Sequence, residues 1–172
     1  MGRRELFIKI HRPIIKLASK IPSNDNLILM GNHPNKLDPL LLSCLSPDIR
    51  FATQGKDRSY MFVKTVDCDL TSTQLAHMAN AFISLLEQNV MFLFPEVEIN
   101  NEEELKKFLP GALILAKRSG AKIMPFAITG SYNIFKREPL RINVGEPFIP
   151  TGMDERTLDT YLRNKIYELK KK

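Results

Sequence analysis

The 172-residue sequence predicts an α/β fold, a single domain in which a mixed, mostly parallel β-sheet is flanked by helices. Three observations predict it. Two short runs, NLILM (26–30) and VMFLF (90–94), are wholly apolar, as strands covered on both faces are. Longer segments with apolar residues at helical spacing alternate with such runs. Turn formers, GNHPNKLDP, follow the first run, and Pro95 stops the second.

The elements follow in order. Residues 4–20 are basic and amphipathic, with Leu6, Phe7, Ile10, Ile14, Leu17 and Ala18 at helical spacing, and Pro13 is expected to kink or divide that helix. This segment reads either as a helix packed on the core or as one lying on anionic lipid. Residues 1–22 are therefore taken as an N-terminal helical segment and 23–172 as the main domain. After NLILM comes an apolar helix through Leu40–Leu45, then short strands at 49–54 and 62–67. Residues 73–89 form a helix with Leu75, Met78, Ala79, Phe82, Leu85 and Leu86 on one face. Beyond VMFLF, Asn101 with Glu104 marks a helix start. Pro110–Gly111 interrupts that helix, and Gly120 suits its C-cap. Strands at 122–128 and 140–148 and an amphipathic helix over 154–169 complete the chain.

In sheets of this kind, active residues sit in loops just past the carboxyl ends of strands. Two loops qualify, Asn32–Asp38 and Pro95–Glu98. Within one ideal helix, side chains five apart point about 140° away from each other, so His33 and Asp38 meet only if His33 precedes a helix that contains Asp38. Pro34, suited to the first helical position, supports that arrangement. Imidazole accepts a proton from a hydroxyl near neutral pH. A carboxylate on its other nitrogen fixes the tautomer and stabilises the imidazolium. The bland alternative is a capping aspartate beside an incidental histidine.

The surroundings of the pair carry a family resemblance. Asn32-His33 with Asp38-Pro39-Leu40, after an apolar strand, resembles the N-H-x-S-x-x-D-P block of the lysophosphatidic acid acyltransferases, with Asn35 at the family's serine position. Phe94-Pro95-Glu96 resembles the start of their F-P-E-G-T-R block. Phe108, Gly111, Leu115 and Ala116 are similar to the F-K-x-G-x-x-x-L-A helix, Ile123–Ile128 to the I-V-P-V-x-I strand, and Val144–Pro147 to the V-G-E-P element. The five blocks occur in the family's order over roughly residues 26–150.

The resemblance implies the glycerolipid acyltransferase fold and transfer of a fatty acyl group from a thioester, acyl-ACP or acyl-CoA as co-substrate, to a lysophospholipid hydroxyl such as that of 1-acyl-glycerol-3-phosphate. His33 is then the general base and Asp38 its orienting partner. Asn32, Asn35, Lys64, Phe94, Pro95, Glu96 and Gly111 are the implied substrate-binding positions. Glu96 reads equally as a shaper of the acceptor site and as a cap on a backbone N–H. Two family arginines that bind phosphate are absent, their positions falling at Ile99 and near Cys68. Either Lys64, Lys56 or Arg58 stands in as a point charge, or the acceptor carries no phosphate monoester, or the chain is a non-catalytic lipid-binding module of the same fold.

Composition bounds the remaining classes. The chain is 44% apolar and 26% charged, as globular proteins are. No run of about eighteen apolar residues suggests a membrane span, and no secretory signal is read at the N-terminus. Cys44 and Cys68 are too few for a disulfide framework and read as reduced thiols. The three histidines lack metal-ligand spacing, so neither metal nor cofactor is expected. The net charge of +6, much of it at the two ends, suits an anionic membrane surface. No nucleic-acid motif accompanies it. The expected location is the cytoplasm, peripheral at the inner face of the membrane.

Overall fold

The computed structural model describes residues 3–19, 21, 26–45, 50–53, 65–67, 90–96, 98–100, 102–136 and 138–172. The expected helix over 73–89 lies outside these residues, as do Lys56, Arg58, Lys64 and Cys68.

The order of elements is α1 (Arg3–His11), β1 (Ile14–Leu17), β2 (Leu27–Gly31), α2 (Asp38–Leu42), β3 (Arg50–Thr53), β4 (Thr65–Asp67), β5 (Val90–Leu93), α3 (Pro110–Arg118), β6 (Lys122–Thr129), β7 (Arg141–Val144) and α4 (Glu155–Lys170). The strands form one sheet in the order β1-β7-β6-β2-β5-β3-β4. Every neighbouring pair is parallel except β6 and β7. The α/β class and the mixed, mostly parallel sheet are as the sequence predicts.

The apolar runs are strands because both faces of the sheet are covered. Side chains of β2 alternate between two cores. Leu27 and Leu29 join Phe92, Met124, Phe126 and Ile128 under α1 and α2, through Phe7, Leu41 and Leu42. Ile28 and Met30 join Met91, Ile123 and Ala127 under α3 and α4, through Leu113, Ala116, Leu158, Leu162 and Ile166. All five β2 residues are buried, so an apolar residue is favoured on either face. In α4, Asp154 caps the N-terminus, its carboxylate accepting from Thr157 N–H at 2.7 Å.

Three expectations are corrected. The helix over 4–20 ends at His11, and Ile14–Leu17 form an edge strand parallel to β7. Pro13 has no N–H to continue the helix, Arg12 turns the chain with φ of 43°, and Ile14 N–H donates to Leu140 C=O at 2.9 Å. The helix expected from Asn101 is absent over residues 102–109, and α3 begins at Pro110. Side chains take the backbone donors there: Glu102 N–H binds Asn100 Oδ1 at 3.0 Å, and Lys106 N–H binds Glu96 at 2.9 Å. The helix after NLILM begins at Asp38, with Pro39 in its first turn, so Pro34 lies in the connecting loop.

The end of β2 is held unusually closely to β6. A Cβ on Gly31 would overlap the Phe126 carbonyl oxygen and ring. One residue on, Asn32 continues the pairing with its side chain: its amide nitrogen donates to Ile128 C=O at 2.9 Å, and its oxygen accepts Ile128 N–H at 2.7 Å. Gly31→Ala is therefore expected to lower stability by about 1–3 kcal/mol through overpacking. Asn32→Ala is expected to lower it by about 2 kcal/mol by leaving two buried peptide groups unpaired. Urea unfolding measures both.

Candidate active site

β2, β5 and β6 are parallel, so their carboxyl ends share one edge of the sheet. Three loops leave that edge: 32–37 after β2, the segment from Phe94 after β5, and the segment from Gly130 after β6. Their residues build the site.

His33 follows the Asn32 clamp, and its own carbonyl accepts Asn100 N–H at 2.8 Å. Its ring Nδ1 lies 2.8 Å from Asp38 Oδ2. With Nδ1–H as the donor, the other nitrogen, Nε2, carries the lone pair. His33 is 2% exposed and Asp38 0%. Asp38 accepts two further bonds, from Asn35 N–H to Oδ2 at 2.8 Å and from the Tyr132 hydroxyl to Oδ1. All three partners donate, an arrangement suited to an ionised carboxylate. Burial pushes the Asp38 carboxyl above its usual range, and the bonds from His33, Tyr132 and Asn35 pull it only part of the way back. The Tyr132 phenol, buried beside that carboxylate, is pushed well above its ordinary value and stays a donor. Phe94 stacks on the imidazole, with centroids 4.0 Å apart and planes 14° from parallel.

Asn35 has a local task besides its bond to Asp38. Its side-chain oxygen accepts Leu37 N–H at 3.0 Å and its carbonyl accepts Asp38 N–H at 2.9 Å, which folds the loop so that Asp38 faces His33. A serine hydroxyl at this position closes the same turn more weakly.

The second loop centres on Glu96, which is 6% exposed. Its Oε2 accepts the Lys106 N–H and an amide proton of Asn100. Its Oε1 is buried with no partner among the described residues. The capping role therefore holds for one oxygen. Asn100 is bound to both His33 and Glu96 and so ties the two loops together. Pro95 is buried, and its carbonyl accepts Leu109 N–H at 2.9 Å.

The remaining positions separate from this centre. Asn32 has both ends of its amide engaged by the Ile128 backbone. Gly111 stands in the first turn of α3, and nothing lies within 4 Å of a Cβ built on it. Ile99, at a position where the family carries a phosphate-binding arginine, is 46% exposed. Its neighbour Glu98 pairs with Lys106 at 3.7 Å. No cluster of metal-ligating side chains occurs among the described residues. Sequence reading missed Tyr132 and Asn100. Asn100 had a signal, being an Asx residue four places past the proposed functional Glu96. Tyr132 had none, since it lies 94 residues from its partner.

The model of the acyltransferase family matches residues 12–129, more than half of the chain. Among solved structures, the chain is similar to the crystal structure of the 1-acyl-sn-glycerophosphate (LPA) acyltransferase PlsC from Thermotoga maritima, with a TM-score of 0.70 and 16% identity over 98% of this chain and 78% of that one. No curated protein sequence matches it. With its sheet, its histidine–aspartate pair and the extent of the family match taken together, the chain belongs to the acyltransferase family.

Proposed function

We propose that the protein moves a fatty acyl group from a thioester donor, acyl-ACP or acyl-CoA, to the hydroxyl of a lysophospholipid, with His33 as general base. The observation that carries this reading is the 2.8 Å bond between His33 Nδ1 and Asp38 Oδ2 at the carboxyl edge of the sheet. The acceptor hydroxyl gives its proton to Nε2 as its oxygen attacks the thioester carbonyl. The tetrahedral intermediate expels the thiolate, and the imidazolium returns the proton to sulfur. One C–O bond forms, one C–S bond breaks, and the histidine ends as it began. Asp38 stabilises the imidazolium between the two transfers, a contribution with the base of about 10²–10⁴-fold. Because His33 is almost wholly covered, the acceptor enters by displacing a covering group, and the stacked Phe94 ring is the nearest candidate. The buried Oε1 of Glu96, without a partner among the described residues, supports a role in holding the acceptor.

The chemistry at the arginine positions favours a refinement. Ile99 brings no charge, and Glu98 brings a negative one that Lys106 engages. An anion near Glu98 would be repelled, so an acceptor without a phosphate monoester is the second reading.

The same edge is suited to a bilayer. Leu37, Ile99, Ile134 and Phe135, exposed by 37%, 46%, 58% and 90%, all lie in the three loops around His33, and exposed Lys36 and Lys136 adjoin them. Helix α1 packs inward through Phe7 and leaves Leu6, Ile8 and Ile10 exposed. Apolar side chains beside lysines match an anionic lipid surface. No helix among the described residues is long and apolar enough to cross a membrane. Peripheral attachment at the inner face would thus deliver a lysolipid to the dyad.

Thiol release from acyl-ACP and acyl-CoA, measured against lysolipids with and without a phosphate monoester, tests the reaction. His33→Ala is expected to lose roughly 10²–10⁴-fold in kcat, and a rate equal to the parent's would exclude the mechanism. Phe135→Ser is expected to bind anionic vesicles roughly tenfold more weakly in co-sedimentation, and unchanged binding would remove the loop from the membrane contact.

A further inference from the structure

Tyr132 takes no part in the transfer described above. It follows the positive-φ turn at Gly130, where a Cβ would overlap the Pro139 carbonyl, so the chain leaves β6 in one direction only. Its ring is lodged between two elements distant in sequence. On one side, the rings of Phe7 and His11 of α1 have centroids 6.3 and 6.0 Å from it. On the other, its hydroxyl donates to Asp38 Oδ1 at the start of α2.

A carboxylate turns readily about its last bond. Asn35 N–H and the imidazole both hold Oδ2, and within the described residues Tyr132 supplies the side-chain hydroxyl on Oδ1. We infer that Tyr132 is a positioning residue: its phenol fixes the plane of the Asp38 carboxylate so that Oδ2 stays on His33 Nδ1. The inference rests on the reading of His33 as the base. A donor on Oδ1 draws charge from the carboxylate and weakens its hold on the imidazolium. Among the described residues, the other titratable side chains beside this trio are His11 from α1 and Cys44 in the turn just past α2. His11 is held below its ordinary value by burial.

Tyr132→Phe removes the hydroxyl and keeps the ring. Its kcat is expected to fall roughly tenfold with KM little changed, and the acid limb of kcat/KM to move to higher pH by roughly half a unit. A purely structural role would leave that limb in place. Incorporation of 3-fluorotyrosine at 132 preserves shape and strengthens the donor, so its limb is expected to move to lower pH, which keeps the test open if the phenylalanine variant fails to fold. Parent-like kcat and pH profile in Tyr132→Phe, a limb shifted to lower pH, or a raised KM at unchanged kcat would each overturn the assignment. His33→Ala in the same assay separates the failures. An active His33→Ala removes the base mechanism itself. An inactive His33→Ala beside a parent-like Tyr132→Phe removes only the role of Tyr132.

Discussion

The site depends on a buried carboxylate and the donors that surround it. Asp38 is fully enclosed, and an enclosed carboxylate is costly unless its oxygens are hydrogen-bonded. Its three donors come from separate places: the imidazole just past β2, a backbone N–H in the following loop, and a phenol beyond β6. Satisfying that one group therefore brings the ends of β2 and β6 and the start of α2 to a common point. Burial alone would favour the protonated acid, and the donors oppose it. Keeping the anion inside is what a histidine base requires, because the imidazolium is then stabilised in a medium of low dielectric.

Around this centre, side chains substitute for backbone wherever the sheet ends. Asn32 completes a strand pairing, Asn35 closes a turn, and Glu96 and Asn100 collect the donors of a segment that is helical by sequence pattern. These polar residues hydrogen-bond the edge together without secondary structure. They also explain why a motif dense in asparagine is compatible with deep burial. An amide offers both a donor and an acceptor, so it can replace a peptide group in full.

Much was legible because the chemistry is local. The runs NLILM and VMFLF are β2 and β5 because a central strand covered on both faces needs no polar residue. The helix over 154–169 is α4, shifted by one residue at each end. The dyad was legible for a similar reason, with His33 and Asp38 five residues apart. Where reading failed, a short signal met a stronger tertiary demand. Ile14–Leu17 fit a helical stripe, yet Pro13 breaks the ladder and β7 offers an unpaired edge. Asn101 and Glu104 match a capping pattern, yet Glu96 and Asn100 bind the local N–H groups first.

By itself, the sequence determined the α/β class, the strands that form the sheet's centre, the nearness of His33 and Asp38 across one strand-to-helix connection, and the lack of arginine at the two positions where the resembled family blocks carry it. Each of these is set by residue type over a few positions, through periodicity, turn chemistry or ionisation. Tertiary structure alone decided that Tyr132 grips Asp38, that Asn32 serves the sheet, that Glu96 keeps one oxygen without a partner among the described residues, and that Ile134 and Phe135 stand exposed in the loop that carries Tyr132. Those facts join residues up to 96 positions apart, and no local pattern encodes which distant donor will meet a given buried acceptor.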